Sequence, residues 1–307
     1  MIQSNLVWIP SLQDFKRFAE ITTRDLRILA RTLDNELEFI YTMNELLAEK
    51  SLTNININEL TLIDKYVICI TLRIFSMGDT IPLKAQCSTC GLSVDHMMNV
   101  NDFMTSGLDV LDKKYFMEIT DGSFVVGVGM PTIGTEFDIV KNLEINKIKR
   151  NSVDSELIHK TLSYIQTLKI KDTVINLADI EFDNLLEIYK KLPGTILNKI
   201  QDEFIKPIAD TITPKLFEIE CKTKGCKPIV ADLRLENIND IVRLIFRASP
   251  GDILEEIFLL GKLGSMDPFY IDSLTPAEKD VIIMLQNKSN HEEDSQNNSD
   301  INKAWIE

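Results

Sequence analysis

Two cysteine pairs constrain this chain more than any other feature: Cys87-Ser-Thr-Cys90-Gly91 and Cys221-Lys-Thr-Lys-Gly-Cys226. A Cys-x2-Cys turn followed by glycine forms a knuckle that presents two sulfurs to one ion, and a closed structural zinc site needs four such donors in a tetrahedron. Each pair sits between strand-like segments. Ile81 to Gln86 leads into the first and Leu92 to Met98 leads out. Pro214 to Glu220 leads into the second and Lys227 to Leu235 leads out. Two hairpin knuckles facing each other make a zinc ribbon, here split by a long stretch of chain. That separation does not forbid the site, because loop-closure entropy rises only with the logarithm of length. The expected ligands are Cys87, Cys90, Cys221 and Cys226, and the ion would cross-link the two halves of the chain with a gain comparable to a disulfide or larger.

Two other readings of the same residues stay open. One is a partial site, with Cys221 and Cys226 merely lying in a β-turn. The other is a redox dithiol, although such a pair normally sits at a helix N-terminus, where the dipole lowers the thiol pKa, and here an alternating strand follows Gly91. The fifth cysteine, Cys69, falls on the apolar face of a helix and reads as a small core residue. His96 lies near the first knuckle but reads as a strand residue on a solvated face, since four sulfurs already complete the site.

Around the knuckles the chain divides into helical and hairpin stretches. Ser11-Leu-Gln-Asp14 and Thr61-Leu-Ile-Asp64 have the form of a cap with an acid three residues on, a helix-start signal. With the apolar spacing of Leu26 to Leu47 they make residues 1–79 an N-terminal helical region, broken near Asp34 and ended by Gly78. Residues 80–130 form a hairpin region holding the first knuckle and a second hairpin turning at Asp121-Gly122. Residues 131–212 are a central α+β region: helices over Glu136 to Leu143, Asp154 to Tyr164, Phe182 to Leu192 and Thr195 to Phe204, with a strand pair turning at Lys171-Asp172. Residues 213–236 carry the second knuckle, 237–288 a C-terminal helical module starting one helix at Thr275-Pro276-Ala-Glu278, and 289–307 a polar, acidic tail expected to be disordered. Asn99-Val-Asn-Asp102 and Asn237-Ile-Asn-Asp240 follow the two knuckles as a weak internal echo. The fold class expected is α+β, predominantly helical, with β-hairpins carrying a split zinc-ribbon-like four-cysteine site.

The 307 residues carry 47 acidic and 33 basic side chains, a net charge of −14. Such a surface is repelled by phosphate backbones, so the rival reading of a zinc-ribbon nucleic-acid-binding regulatory protein rests on Lys222, Lys224 and Lys227 alone. No stretch reaches the roughly 18 apolar residues of a membrane span, and the first residues lack a signal-peptide pattern. Nucleic acid and membrane are therefore not expected partners. Catalytic motifs are missing too: there is no nucleophile elbow, phosphate-binding glycine loop, His-Glu-x-x-His or dinucleotide fingerprint, and the only histidines are His96, His159 and His291. The chain reads as a non-enzyme.

The order of three segments carries a resemblance. Leu72-Arg-Ile-Phe-Ser-Met-Gly78 runs into the first knuckle; the second knuckle runs into Leu244-Ile-Phe-Arg-Ala-Ser-Pro250; and Leu254 to Leu260 is followed by Phe269 to Glu278. This order, over about residues 60 to 288, resembles the gene-26-type baseplate hub proteins of T-even-like myophages and their relatives in contractile injection systems. The resemblance implies a structural or assembly role, made in the host cytoplasm and carried in the virion tail baseplate. It implies binding to other baseplate hub or tail proteins, the tape-measure protein among them. Phe258, Leu259, Leu260, Phe269 and Tyr270 read first as the core of the C-terminal module and otherwise as a partner-bound cluster.

Overall fold

In the computed structural model of the chain, the described residues are 4–103, 116–122, 124–145, 158, 161–170, 173–177, 180–212, 216–232 and 237–288. The chain opens with an antiparallel hairpin, β1 (Ser4–Ile9) and β2 (Asp14–Ala19), and not with a helix. The Ser11 to Asp14 pattern imitates a cap, but Asp14 binds the N–H of Phe15 and the Lys16 ammonium instead, and Gln13 turns the chain in the left-handed region at φ 50°. Ser11 N–H donates to Asp64 Oδ1, far along the chain. The deciding signal is two-residue alternation: Val7, Ile9 and Phe18 point into the core, Leu6, Trp8 and Phe15 outward.

Three helices follow, α1 (Thr23–Thr32), α2 (Glu36–Lys50) and α3 (Leu62–Met77), with the break at Leu33 to Asn35. α1 and α3 both start in capping boxes, Thr22 with Asp25 and Thr61 with Asp64. α3 ends at Gly78, whose φ of 85° suits glycine. The chain then forms the hairpin β3 (Thr80–Gln86) and β4 (Ser93–Asn99). An antiparallel meander β5 (Phe116–Asp121), β6 (Phe124–Gly129), β7 (Ile165–Ile170) and β8 (Thr173–Asn176) makes the largest sheet, with α4 (Ile133–Ile145) between its second and third strands. The helix expected over Asp154 to Tyr164 and the turn at Lys171-Asp172 lie largely or wholly outside the described residues.

α5 (Phe182–Lys191) precedes a helical run longer than expected: α6 (Gly194–Lys199), a π-helical stretch (Ile200–Ile205) and α7 (Lys206–Ile212). Pro207 explains the wide turn, since it has no N–H to return and its ring crowds the carbonyl four residues back. The hairpin β9 (Leu216–Ile219) and β10 (Ile229–Asp232) leads to α8 (Ile238–Ile245), α9 (Pro250–Leu263), α10 (Pro268–Ser273) and α11 (276–288). α11 starts in a further capping box, Thr275 with Glu278. Of the residues read from sequence as a module core, only Leu260 is buried; Phe258 is 62% and Phe269 86% exposed. Among the described residues no helix is long and apolar enough to cross a membrane.

α3 is the axis of the molecule, buried along nearly its whole length, with Tyr66, Cys69 and Ile70 fully enclosed. Inside this apolar packing sits an ionic cluster. Lys65 Nζ lies 2.6 Å from Glu136 Oε2 and 3.0 Å from Asn239 Oδ1; Asn239 Nδ2 donates to Glu136 Oε1 at 2.6 Å and Asn44 Nδ2 to Glu136 Oε2 at 3.2 Å. Helices α2, α3, α4 and α8 thus each contribute one residue. Lys65 is 0% and Glu136 1% exposed, so the charges survive there only because each is paired and hydrogen-bonded.

Removing one partner leaves the other charge stranded. Glu136→Ala is expected to cost about 3–5 kcal/mol, read as a lower urea midpoint, whereas replacing Lys65 and Glu136 together by Met and Leu should recover most of that loss.

Candidate metal centre

Both knuckles are rooted in that axis. β3 leaves the C-terminal end of α3 through Gly78, and the buried Arg73 guanidinium clamps the junction. Its Nε donates to Ile245 O at 2.8 Å, and its two terminal nitrogens to Gly78 O at 2.5 Å and Thr80 O at 2.7 Å. Burial pulls the Arg73 guanidinium down to about 10, still well above neutrality. The second knuckle hairpin is followed by α8, whose Asn239 belongs to the buried cluster. The echoed Asn motifs serve alike here: Asn99 Oδ1 accepts from the Asn101 N–H at the start of a 3-10 turn, and Asn237 Oδ1 caps α8 by accepting from the Asp240 N–H.

At the first tip, Cys87 N–H donates to Leu92 O at 2.9 Å and Gly91 N–H to Cys87 O at 2.8 Å. Gly91 has φ 74°, a left-handed conformation that a side chain would strain. At the second tip, Cys226 N–H donates to Thr223 O at 3.2 Å and Gly225 takes φ 91°. The wider Cys-x4-Cys spacing is thus folded into the same kind of tight turn.

With β10 lying against β3, the two tips meet. The sulfurs of Cys87, Cys90, Cys221 and Cys226 all lie within 4.8 Å of one another, and Cys90 Sγ is 3.6 Å from Cys221 Sγ. A zinc–sulfur distance of about 2.3 Å gives sulfur–sulfur edges of about 3.8 Å in a tetrahedron, so the donor set suits that ion in kind and spacing. Cys87 is 2% exposed, Cys90 is open to solvent, and the other two are half-buried.

The protonation pattern fits a site that wants a cation. The backbone N–H groups of Cys90 and Thr89 bring the Cys87 thiol down to about 6, and the Leu92 N–H, with the Thr223 hydroxyl, lowers Cys90. Desolvation, then the neighbouring sulfurs, pushes Cys226 up to about 12. Like charges this close oppose one another, so complete ionisation needs a positive ion among them. Thr223, 3.7 Å from Cys90 Sγ, belongs to the site although sequence reading passed over it; a hydroxyl between two cysteines was the available signal. Lys222, Lys224 and Lys227 stand exposed around the second tip.

Cys69 is fully buried in α3, and burial raises its thiol to about 12, as a core residue should behave. His96 is half-buried on β4 opposite Leu83 and is not one of the clustered donors. His159 and His291 lie outside the described residues.

A family model described as T4 bacteriophage base plate protein matches residues 1–243. The chain belongs to that family. No curated protein and no solved structure matches it. The matched span of this base plate protein contains both knuckles and all four residues of the buried ionic cluster. It also takes in the first sixty residues, which the resemblance drawn from sequence left out, and stops before α9 to α11, which that resemblance included.

Mild oxidation of the metal-free protein with diamide tests the juxtaposition directly. Peptide mapping should recover a disulfide joining the 87–90 peptide to the 221–226 peptide, with Cys90 to Cys221 the favoured pair, and the cross-link should disappear when Cys87 and Cys90 are both changed to Ser.

Proposed function

We propose that this base plate protein is a non-enzymatic assembly component of the baseplate hub, the gene-26 type in particular. One structural zinc on Cys87, Cys90, Cys221 and Cys226 holds it as a rigid docking body. The observation that carries the reading is the meeting of four sulfurs from hairpins 131 residues apart, measured from Cys90 to Cys221. In this reading the two hairpins form a split zinc ribbon and the metal is wholly structural. Four thiolates fill a tetrahedral ion and leave no open position for water or substrate.

The six regions of the chain then have distinct tasks. Residues 80–130 and 213–236 carry the clip; 1–79, with its leading hairpin, and 131–212 build the body that the clip stiffens; 237–288 extends from it, and 289–307 forms the polar tail. The partners are other hub or tail proteins, including the tape-measure protein. The protein is made in the host cytoplasm and reaches the tail baseplate by binding them.

Metal analysis of purified protein should give one zinc per chain. Cys87→Ser with Cys90→Ser, and separately Cys221→Ser with Cys226→Ser, should each abolish it. A site filled at about a thousand times its Kd stabilises the folded state by about 4 kcal/mol, so Tm should fall by about 10 °C in either variant. Co-purification of hub proteins from infected cells should weaken in parallel. Zinc retained by either double variant would overturn the shared site, and wild-type protein free of hub partners would overturn the assembly role.

A further inference from the structure

The buried ionic cluster is laid out as a reaction centre as well as a strut. Three reactive groups meet in it: the Lys65 amine, the Asn239 carboxamide and the Glu136 carboxylate, at 0%, 4% and 1% exposure. Lys65 Nζ is 3.0 Å from Asn239 Oδ1, which puts the carbonyl carbon Cγ within about 4.2 Å of that nitrogen. Glu136 bridges the two. Its Oε2 is 2.6 Å from Lys65 Nζ, and its Oε1 accepts from Asn239 Nδ2 at 2.6 Å. The neighbours fix the amide's orientation, since its oxygen faces a donor-only ammonium and its nitrogen an acceptor-only carboxylate. A nucleophile, an acyl carbon and a proton carrier in touch with both are thus held together in advance, which is what raises effective concentration most.

We propose that Lys65 and Asn239 ligate spontaneously into an intramolecular amide, with Glu136 as the catalytic proton carrier. Glu136 takes one proton from the Lys65 ammonium, which frees the nitrogen lone pair. That pair forms the Nζ–Cγ bond while the Cγ–Oδ1 π pair moves onto oxygen. Glu136 hands its proton to Nδ2 and takes a second from the newly attached nitrogen. The carbonyl re-forms as the Cγ–Nδ2 bond breaks, and ammonia leaves with that bond's electron pair. No oxidant and no cofactor is consumed. The products are one amide, one ammonia and a protonated Glu136, so both charges disappear from the core.

The surroundings favour that direction. Charges held out of water carry a desolvation cost even when paired, so proton transfer within the pair and a neutral product are both easier here than at a surface. Asn44 suits the cluster before and after the reaction. Its Nδ2 donates to Glu136 Oε2 at 3.2 Å, while its Oδ1 has no hydrogen-bond partner among the described residues. Turning the amide over presents that oxygen to the acid proton that Glu136 holds afterwards. The new bond joins α3 to α8 across 174 residues. Neither a chelator nor a reductant opens it, and it needs neither metal in the cysteine clip nor the assembly role. The ion pair is the reactant state of this step, so the stability comparison drawn above for Glu136→Ala applies to unligated protein.

The full chain, freshly made in a cell-free extract, is transferred at once to buffer or to concentrated guanidinium chloride and followed overnight by intact-mass spectrometry. In buffer the mass should fall by about 17 Da, one ammonia, and in denaturant it should stay at the value the sequence gives. Digestion of the buffer sample should yield a branched peptide joining Lys65 to Asn239. Folded wild-type protein that keeps its full mass overturns the inference. So does ammonia loss without the branched peptide, because an asparagine elsewhere has then cyclised. Equal loss in denaturant overturns it too, since the step would not need the fold. Glu136→Gln keeps the size and much of the hydrogen bonding but cannot carry the proton. Shown to be folded by circular dichroism, it should ligate at least about a hundredfold more slowly; ligation at the wild-type rate overturns the part given to Glu136. The wild-type arms decide the inference even where that variant does not fold, and a negative result leaves the cysteine clip and the assembly role standing.

Discussion

The ammonium of Lys65 and the carboxylate of Glu136, closed off from water at the centre of the molecule, set the arrangement of everything around them. Neither charge tolerates that place unless the other is within bonding distance and the remaining lone pairs are met. Glu136 takes its further hydrogen bonds from Asn44 and Asn239, and Lys65 donates to Asn239 as well. Four helices from well-separated parts of the chain must therefore assume one mutual position before the core can close. Apolar residues of similar volume there would give comparable or greater stability, but without the directional hydrogen bonds that link the four helices. The ionic cluster ties them in the register seen here.

That register is what brings the cysteines together. β3 departs from one end of α3 under the grip of Arg73, and the chain beyond β10 enters α8, which delivers Asn239 to Lys65. The two hairpins thus leave from the two ends of α3, and their tips meet because β10 lies against β3. Most of the entropy of joining the two halves is met by apolar packing and the buried cluster. On the zinc reading, the ion's own part is local: it fixes the orientation of two hairpins too small to hold a shape alone.

This division explains what could be read from the sequence. Local signals carried well: Thr61 with Asp64, Gly78, Asp121-Gly122 and Thr275 with Glu278 each act over a few residues, and each stands where its spacing placed it. The knuckles were legible because Cys-x2-Cys-Gly specifies its own turn. Ser11 to Asp14 misled because a capping pattern is only a local preference, and Asp64 drew Ser11 into tertiary contact. Lys65, Glu136 and Asn239 gave no sign of their role. A lysine inside an apolar helix reads as a solvated charge until the partner that neutralises it is known, and no periodicity announces that partner from a distance. Phe258 and Phe269 misled in the opposite direction, because apolar spacing describes a face and is silent on whether the same chain covers it.

The exposed apolar side chains on α9 to α11 and the acidic balance of the chain bear on each other. A large apolar surface held in water invites self-association, and the cheapest defence is uniform charge, which repels like copies while leaving an oppositely charged partner free to approach. A core locked in one register serves the same end from within. A partner gains affinity when the surface that receives it is already fixed, because little motion then has to be frozen at the moment of contact. On the assembly reading, rigidity at Lys65 means that the ordering cost is met during folding, before any partner is bound.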